Sequence, residues 1–320
     1  MAERERLAAI DIGTVTTRLL VADVSDSTVR EVVRRHAITH LGEGWTESGT
    51  LSVDAIERVA ETIGGFNREA LELGASRVVA YATSAARDAS NADAFLGACE
   101  AQGVRPLIIA GEREAALSFA GATYDLDGES VLVVDVGGGS TELVLGSVIV
   151  DDEAGRRANV AFARSIDVGS RRVTELFLHA DPPTRAEVTE ASAWVAERLR
   201  SYFGQLRMRP SVMVSVAGTA TSLAAIDLAL DPYDPLRVHG YELSGGRLAE
   251  IREELSVMTL AQRCTLPGLE PARAGVIVAG AIVLETALAM AGVDSTLVSE
   301  HDILYGMMLE LHRGGGKATA

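Results

Sequence analysis

Twice in this chain an apolar run ends in an aspartate, passes through a glycine loop rich in hydroxyls, and re-enters an apolar run. The first copy reads Leu7 to Asp11, a polar loop from Gly13 to Thr17, then Arg18 to Asp23. The second reads Val131 to Val136, the glycines Gly137, Gly138 and Gly139, then Thr141 to Leu145. Each predicts a β-hairpin whose tip is free of bulky side chains. Used twice, about one domain length apart, the hairpin predicts a duplicated α/β fold with a ligand held between the two copies. A length of 320 residues suits two such units better than one core. With 48% hydrophobic and only 4% aromatic residues, the composition is that of a folded α/β chain.

Between the hairpins the pattern alternates. Val53 to Leu73 has helical periodicity, with Val53, Ile56, Val59, Ala60 and Ile63 on one face and Gly74 as its stop. Val78 to Ala82 predicts a strand, Asp93 to Gln102 a helix, Leu107 to Ala110 a strand, and Glu112 to Gly121 a helix. An acidic, turn-rich stretch at Tyr124 to Glu129 marks the domain boundary. Beyond the second hairpin, a helix follows Asp181-Pro182-Pro183, Ser211 to Val216 is a strand, and Asp294 to Val298 is the last strand in a mostly helical remainder. Ala274 to Gly292 is apolar enough to suggest a membrane span, but Glu285 interrupts it and its small residues suggest a core helix. The formal charge of −16 argues against nucleic-acid and membrane-surface partners. No signal peptide is visible, and Cys99 and Cys264, far apart, are expected as buried reduced thiols of a cytoplasmic protein.

The motif with the most chemistry is Asp135-Val136-Gly137-Gly138-Gly139-Ser140-Thr141-Glu142. Consecutive glycines let backbone N–H groups approach an anion. Asp135 and Glu142 flank that loop, and two carboxylates beside a phosphate cradle suit Mg²⁺, with Mn²⁺ as an alternative. The loop at Asp11, Gly13 and Thr14 is its partner and offers a second phosphate site. Gly218 and Thr219, after a strand and before a helical run, offer N–H groups to an anion, although an N-cap formed by Thr219 or Thr221 explains them equally well. Arg87 can clamp a phosphate oxygen. Glu112 and Glu114 both stand where first-turn acids complement a helix dipole, and position alone does not choose between them.

Asp11-Ile12-Gly13, Ala82-Thr83-Ser84-Ala85, Gly111-Glu112-Arg113-Glu114-Ala115, Asp135 to Glu142, and Gly218-Thr219 occur in an order and spacing that resemble the exopolyphosphatase/guanosine pentaphosphate phosphatase family. Arg263, Pro267-Gly268-Leu269, Arg273 and Gly280 resemble its C-terminal pattern, so the likeness covers nearly the whole chain. It implies an actin-like ATPase (ribonuclease H-like) duplicated fold of two domains with an interdomain active-site cleft. The expected domains are residues 1–122 joined by about 300–320, and residues 123–299. It implies Mg²⁺-dependent hydrolysis of a terminal phosphoanhydride, with inorganic polyphosphate as substrate and guanosine pentaphosphate as the alternative; an actin-like kinase or a non-catalytic sensor is a more distant reading. By the same resemblance Glu114 is the catalytic glutamate, Asp135 and Glu142 are the metal-linked acids, and a homodimer is expected. Two positions depart from the pattern: Val15 replaces an asparagine, and Arg113 replaces an acid, where it could offset the acid excess near a polyanion.

Overall fold

The computed structural model describes residues 4–25, 28–44, 49–126, 128–151, 155–206 and 209–314. Its first sheet opens with the predicted hairpin, β1 (Glu5–Ile12) against β2 (Thr16–Ser25), in a register that sets Asp11 opposite Arg18. A third antiparallel strand, β3 (Thr28–Ile38), follows on the outer edge. Helix α1 (Val53–Glu72) buries Ala55, Ile56, Val59, Ala60 and Ile63, an i, i+3/i+4 stripe, against this sheet. Gly74 stops it with φ +83°, a conformation that only glycine adopts cheaply. Strand β4 (Arg77–Ala82) returns parallel to β1, and after α2 (Ser84–Asp88) and α3 (Ala92–Ala101) comes a short β5 (Leu107–Ile108). The strand expected at Leu107 to Ala110 is therefore only half that length, because the chain turns at Ala110 into α4 (Gly111–Ala122).

The second sheet repeats the plan. β6 (Gly128–Val136), β7 (Thr141–Asp151) and β8 (Gly155–Ile166) are antiparallel, with Asp135 opposite Glu142. Helices α5 (Ser170–Phe177) and α6 (Arg185–Phe203) lead to β9 (Val212–Val216), which lies parallel to β6. Then come α7 (Ala217–Asp227), α8 (Pro235–Val238), β10 (Tyr241–Ser244), α9 (Gly245–Ser256), α10 (Leu260–Arg263), a 3-10 turn (Pro271–Arg273), α11 (Ile277–Ala291), β11 (Ser295–Val298) and α12 (Ile303–His312). The sheet orders are β3-β2-β1-β4-β5 and β8-β7-β6-β9-β11, with β10 added at the end of the second. Two sheets of one topology, each begun by a glycine-tipped hairpin, make this a two-domain, duplicated actin-like fold. The apolar segment at 274–292 is core: α11 is buried along most of its length, Glu285 accepts from Arg252 Nε at 2.7 Å, and no described helix is long and apolar enough to cross a membrane.

Two helices join the halves. On α4, Ala115, Phe119 and Ala122 pack against Val131, Val133 and Val144 of the second sheet. Leu117, on the other face, packs with Leu7, Ala9 and with Met307 and Met308 of α12. The expected boundary near residue 122 thus follows a helix that touches both sheets. Where α4 and α12 cross, a Cβ on Gly121 would lie 1.8 Å from Asp302 O, and one on Gly306 would lie 2.0 Å from Leu117 O. Backbone meets backbone there, and only glycine fits. The last six residues of the expected C-terminal segment, 315–320, lie outside the described residues. Both cysteines are free thiols; Cys99 is buried, but Cys264 is half-exposed, because it lies at the C-terminal end of α10 on the wall of a cavity rather than in a core.

Helix α1 also supplies a stability test. Ser52 caps it, its Oγ accepting from Ala55 N at 3.2 Å. Ser52→Ala is expected to destabilise the fold by about 1 kcal/mol, read as a lower urea midpoint at unchanged slope. An unshifted midpoint would remove the cap from the account of this helix.

Candidate active site

The two hairpin tips close in the same way: Gly13 N donates to Thr16 O at 3.0 Å, and Gly137 N donates to Ser140 O at 3.0 Å. They face each other. A Cβ on Gly138 would lie 2.6 Å from a Val15 methyl, and one on Gly139 would lie 2.6 Å from Ser84 Oγ and 2.8 Å from Thr14 Oγ1. Glycine is required at 138 and 139 because the second loop lies flat against the first; a Cβ on Gly137 would meet only Ser140 O of its own tip, at 3.1 Å. Val15, at the position where the family pattern carries asparagine, makes an apolar contact with Gly138 and lines the cavity beside it.

Between the loops lies a chamber of about 80 Å³. Of the residues singled out from the sequence, Asp11, Gly13, Thr14, Glu114, Asp135, Gly137, Gly138, Ser140, Glu142, Gly218 and Thr219 border it. Gly139 is spent on the loop–loop contact instead. Arg87 stands behind the wall, its Nη1 donating to Glu114 Oε2 at 3.1 Å and to Ile109 O at 3.3 Å. Thr219 does not cap its helix: α7 begins without a side-chain cap, and Thr219 Oγ1 donates to Val136 O at 3.0 Å, pinning the helix start to the second hairpin. Ala217 enters that helix at φ +64°, a left-handed conformation costly for alanine.

Four carboxylates converge here. Asp11 is paired with Arg18 at 2.6 Å, and Arg18 also pairs with Asp302. Asp135 accepts from Ser118 Oγ at 2.9 Å, and Glu142 accepts from Ser165 Oγ at 2.6 Å. Glu114 is 8% exposed. Glu112, two residues earlier, points to solvent. Burial pushes Asp135 up to about 6 against the pull of Arg18 and the Ser118 hydrogen bond. Burial and then Asp135 push Glu142 up to about 8. Glu114 is raised well above the usual range, by burial first and by Glu142 second, with Arg87 opposing. A buried cluster of mutually repelling carboxylates with few cations favours protons or a divalent cation.

Arg113 lies away from the chamber, bonded to Glu310 at 2.8 Å and to Tyr81 Oη at 3.4 Å, so it offsets no charge at the site. The partners Ser118, Ser165 and Asp302 carried no local signal in the sequence; Asp302, an N-cap of α12, reaches Arg18 only once the fold closes.

The description "Ppx/GppA phosphatase family" belongs to the sequence family whose pattern matches residues 20–311. Exopolyphosphatase 2 of Mycobacterium tuberculosis (strain CDC 1551 / Oshkosh) is 39% identical over 96% of this chain and 98% of that protein. The crystal structure of an exopolyphosphatase-like protein superposes with a TM-score of 0.90 at 34% identity, covering 98% of this chain and 99% of its own. The Aquifex aeolicus family member superposes at 0.79 with 30% identity, covering 98% and 100%.

Proposed function

The chain belongs to the Ppx/GppA phosphatase family, and from that premise we propose that it is an exopolyphosphatase, releasing inorganic phosphate from the end of inorganic polyphosphate. The observation that carries this reading is the convergence of Glu114, Asp135 and Glu142 on a chamber of about 80 Å³ floored by two glycine-tipped loops. That volume has room for a single phosphoryl group and water beside Glu114. The similarity to Exopolyphosphatase 2 over 96% of the chain favours polyphosphate over guanosine pentaphosphate.

In this mechanism, backbone N–H groups of Gly138 and Ser140 in the second loop and of Thr14 and Val15 in the first hold the terminal phosphoryl oxygens, while Gly13 N and Gly137 N close their own hairpin tips. Gly218 and Thr219 close the chamber beside them. Glu114 orients the attacking water and takes its proton, and Arg87 fixes the Glu114 carboxylate. Asp135 and Glu142, adjacent across the β6–β7 ladder, would hold Mg²⁺ or Mn²⁺. The cation supplies charge neutralisation at the phosphoryl oxygens when bound. Asp11, tied to Arg18, completes the acidic wall. Two free thiols accord with a cytoplasmic enzyme.

Phosphate release from long polyphosphate, guanosine pentaphosphate and ATP, measured side by side, tests the substrate. Polyphosphate is expected to give the highest kcat/KM; a tenfold preference for the nucleotide would replace this reading with the alternative. Asp135→Asn and Glu142→Gln are each expected to lower activity at limiting Mg²⁺ and to regain part of it as Mg²⁺ is raised. Full activity of both variants in excess chelator would remove the metal from the mechanism.

A further inference from the structure

Each hairpin tip is braced by a neighbouring segment of its own half. In the first half, Thr39 N and His40 N both donate to Val15 O at 2.9 Å, and Gly42 N donates to Thr14 O at 2.9 Å. In the second, Ser170 N donates to Gly137 O at 2.8 Å, and Arg171 N and Arg172 N donate to Gly138 O at 2.9 and 3.1 Å. Arg172 Nε adds a bond to Gly139 O at 2.9 Å. The braces are thus the turn after β3 and the start of α5. A side-chain contact joins brace to brace across the seam between the halves: Arg171 Nη2 donates to His40 Nδ1.

Both partners are held in that contact at a cost. The Arg171 side chain is 13% exposed, and its Nε and the Oε2 of Glu175, one turn further on, are buried without a hydrogen-bond partner among the described residues. A guanidinium serving only its own helix would pair squarely with that i, i+4 carboxylate. Instead Nη1 stays 3.5 Å from Glu175 Oε1 while Nη2 reaches into the other half. His40 sits at φ +48°, a left-handed conformation uncommon outside glycine. Burial first, and Arg171 second, hold its imidazole below the ordinary value, with Arg58 and Arg273 adding and Glu43 opposing. A neutral imidazole has one ring nitrogen free to accept, which is what a guanidinium partner requires.

The amides that grip the terminal phosphoryl group belong to the two braced tips, Thr14 and Val15 on one side and Gly138 and Ser140 on the other. Ser170 borders the chamber, but Arg171 and His40 do not, so neither is placed to touch a substrate there. Resting on the exopolyphosphatase reading, we propose that His40 and Arg171 are positioning residues whose contact sets the gap between the two phosphate loops, so that one phosphoryl group is gripped from both sides at the distance from Glu114 that attack requires.

The test is a double-variant cycle on the Mg²⁺-loaded protein at pH 8, with kcat on polyphosphate and calorimetric titration of orthophosphate as its two readouts. His40→Gly removes the imidazole at a φ that glycine accepts freely, and Arg171→Met removes the donor while keeping an unbranched side chain. Each is expected to lower kcat about 10- to 100-fold, the scale of a displacement of about 1 Å at a reacting group, and to weaken orthophosphate about tenfold. The double variant is expected to lose no more than either single one, because one contact is lost in all three. His40→Asn, whose Oδ1 can accept in place of Nδ1, is expected to stay within about threefold of wild type in both readouts. Thermal melts confirm that each variant is folded; should His40→Gly fail to fold, Arg171→Met, alone and combined with His40→Asn, must show the same losses. Folded variants with unchanged kcat and orthophosphate affinity, losses that add in the double variant, or an asparagine variant as impaired as the glycine one would each overturn the proposal. Wild-type protein that releases no phosphate from polyphosphate would instead sink the substrate reading, while the orthophosphate cycle still decides whether His40 and Arg171 set the gap.

Discussion

Glu114→Gln is expected to cut kcat on polyphosphate by about 10²–10⁴-fold, the usual worth of a general base, while leaving the affinity for substrate nearly unchanged. Glutamine keeps the size of the side chain and still hydrogen-bonds a water, but it accepts no proton. Glu112→Gln is the internal control. It stands on the same first turn of α4, so both residues are equally placed to complement the helix dipole. Glu112 is exposed, however, whereas Glu114 is 8% exposed and held by Arg87 at 3.1 Å. If the acids served only the helix, the two variants would lose a small and similar amount of stability and keep their turnover. Steady-state kinetics with a binding titration and a thermal melt separate the cases. A Glu114→Gln enzyme with near-normal kcat would mean that the base is elsewhere.

The second large effect is on metal affinity. A ligating carboxylate must be deprotonated, and Glu142 is pushed up to about 8 by burial and by Asp135. Between pH 6 and 8 the apparent affinity for Mg²⁺ is expected to rise about tenfold per pH unit, with one proton released per ion bound. Below pH 6 the slope steepens, because Asp135 is itself raised to about 6. The metal-free fold behaves in the opposite sense. The folded pKa of Glu142 lies above its ordinary 4.5, so its contribution to stability is fully present below about 4.5 and is lost as pH rises through 8. Mg²⁺ should therefore raise the melting temperature most at pH 8. Titrations in buffers of different ionisation enthalpy count the protons; a pH-independent affinity with none released would take Glu142 out of the metal site.

The parts of this structure that were legible from the chain are those where chemistry dictates residue type. Glycine at a hairpin tip, an aspartate at a strand end and a stripe of aliphatics on α1 each have one dominant explanation, and they led to the two hairpins, to α1 and to most of the chamber wall. Strand β3 was not anticipated because it is an edge: it carries Arg30, Glu31, Arg34 and Arg35 and lacks a clean alternation of buried and exposed residues. Its counterpart β8, whose residues from Ala158 to Ile166 show no clean alternation and include Arg164, hid in the same way, and four-residue β10 was absorbed into its helical surroundings. Glu112 and Glu114 differ in burial, which depends on how α4 rotates against both sheets. Arg273 meets Gly218, and Arg18 meets Asp302, only through tertiary closure, so neither pairing has a local pattern.

The crossing of α4 and α12 at Gly121 and Gly306 is a fixed joint between the halves. Backbone contacts of that kind leave little slack for the two helices to slide past one another. Glu114 rides on α4 itself, seven residues, or about two turns, from Gly121. The group that must meet the water with the tightest tolerance is thus mounted on the helix whose far end is locked backbone to backbone against α12.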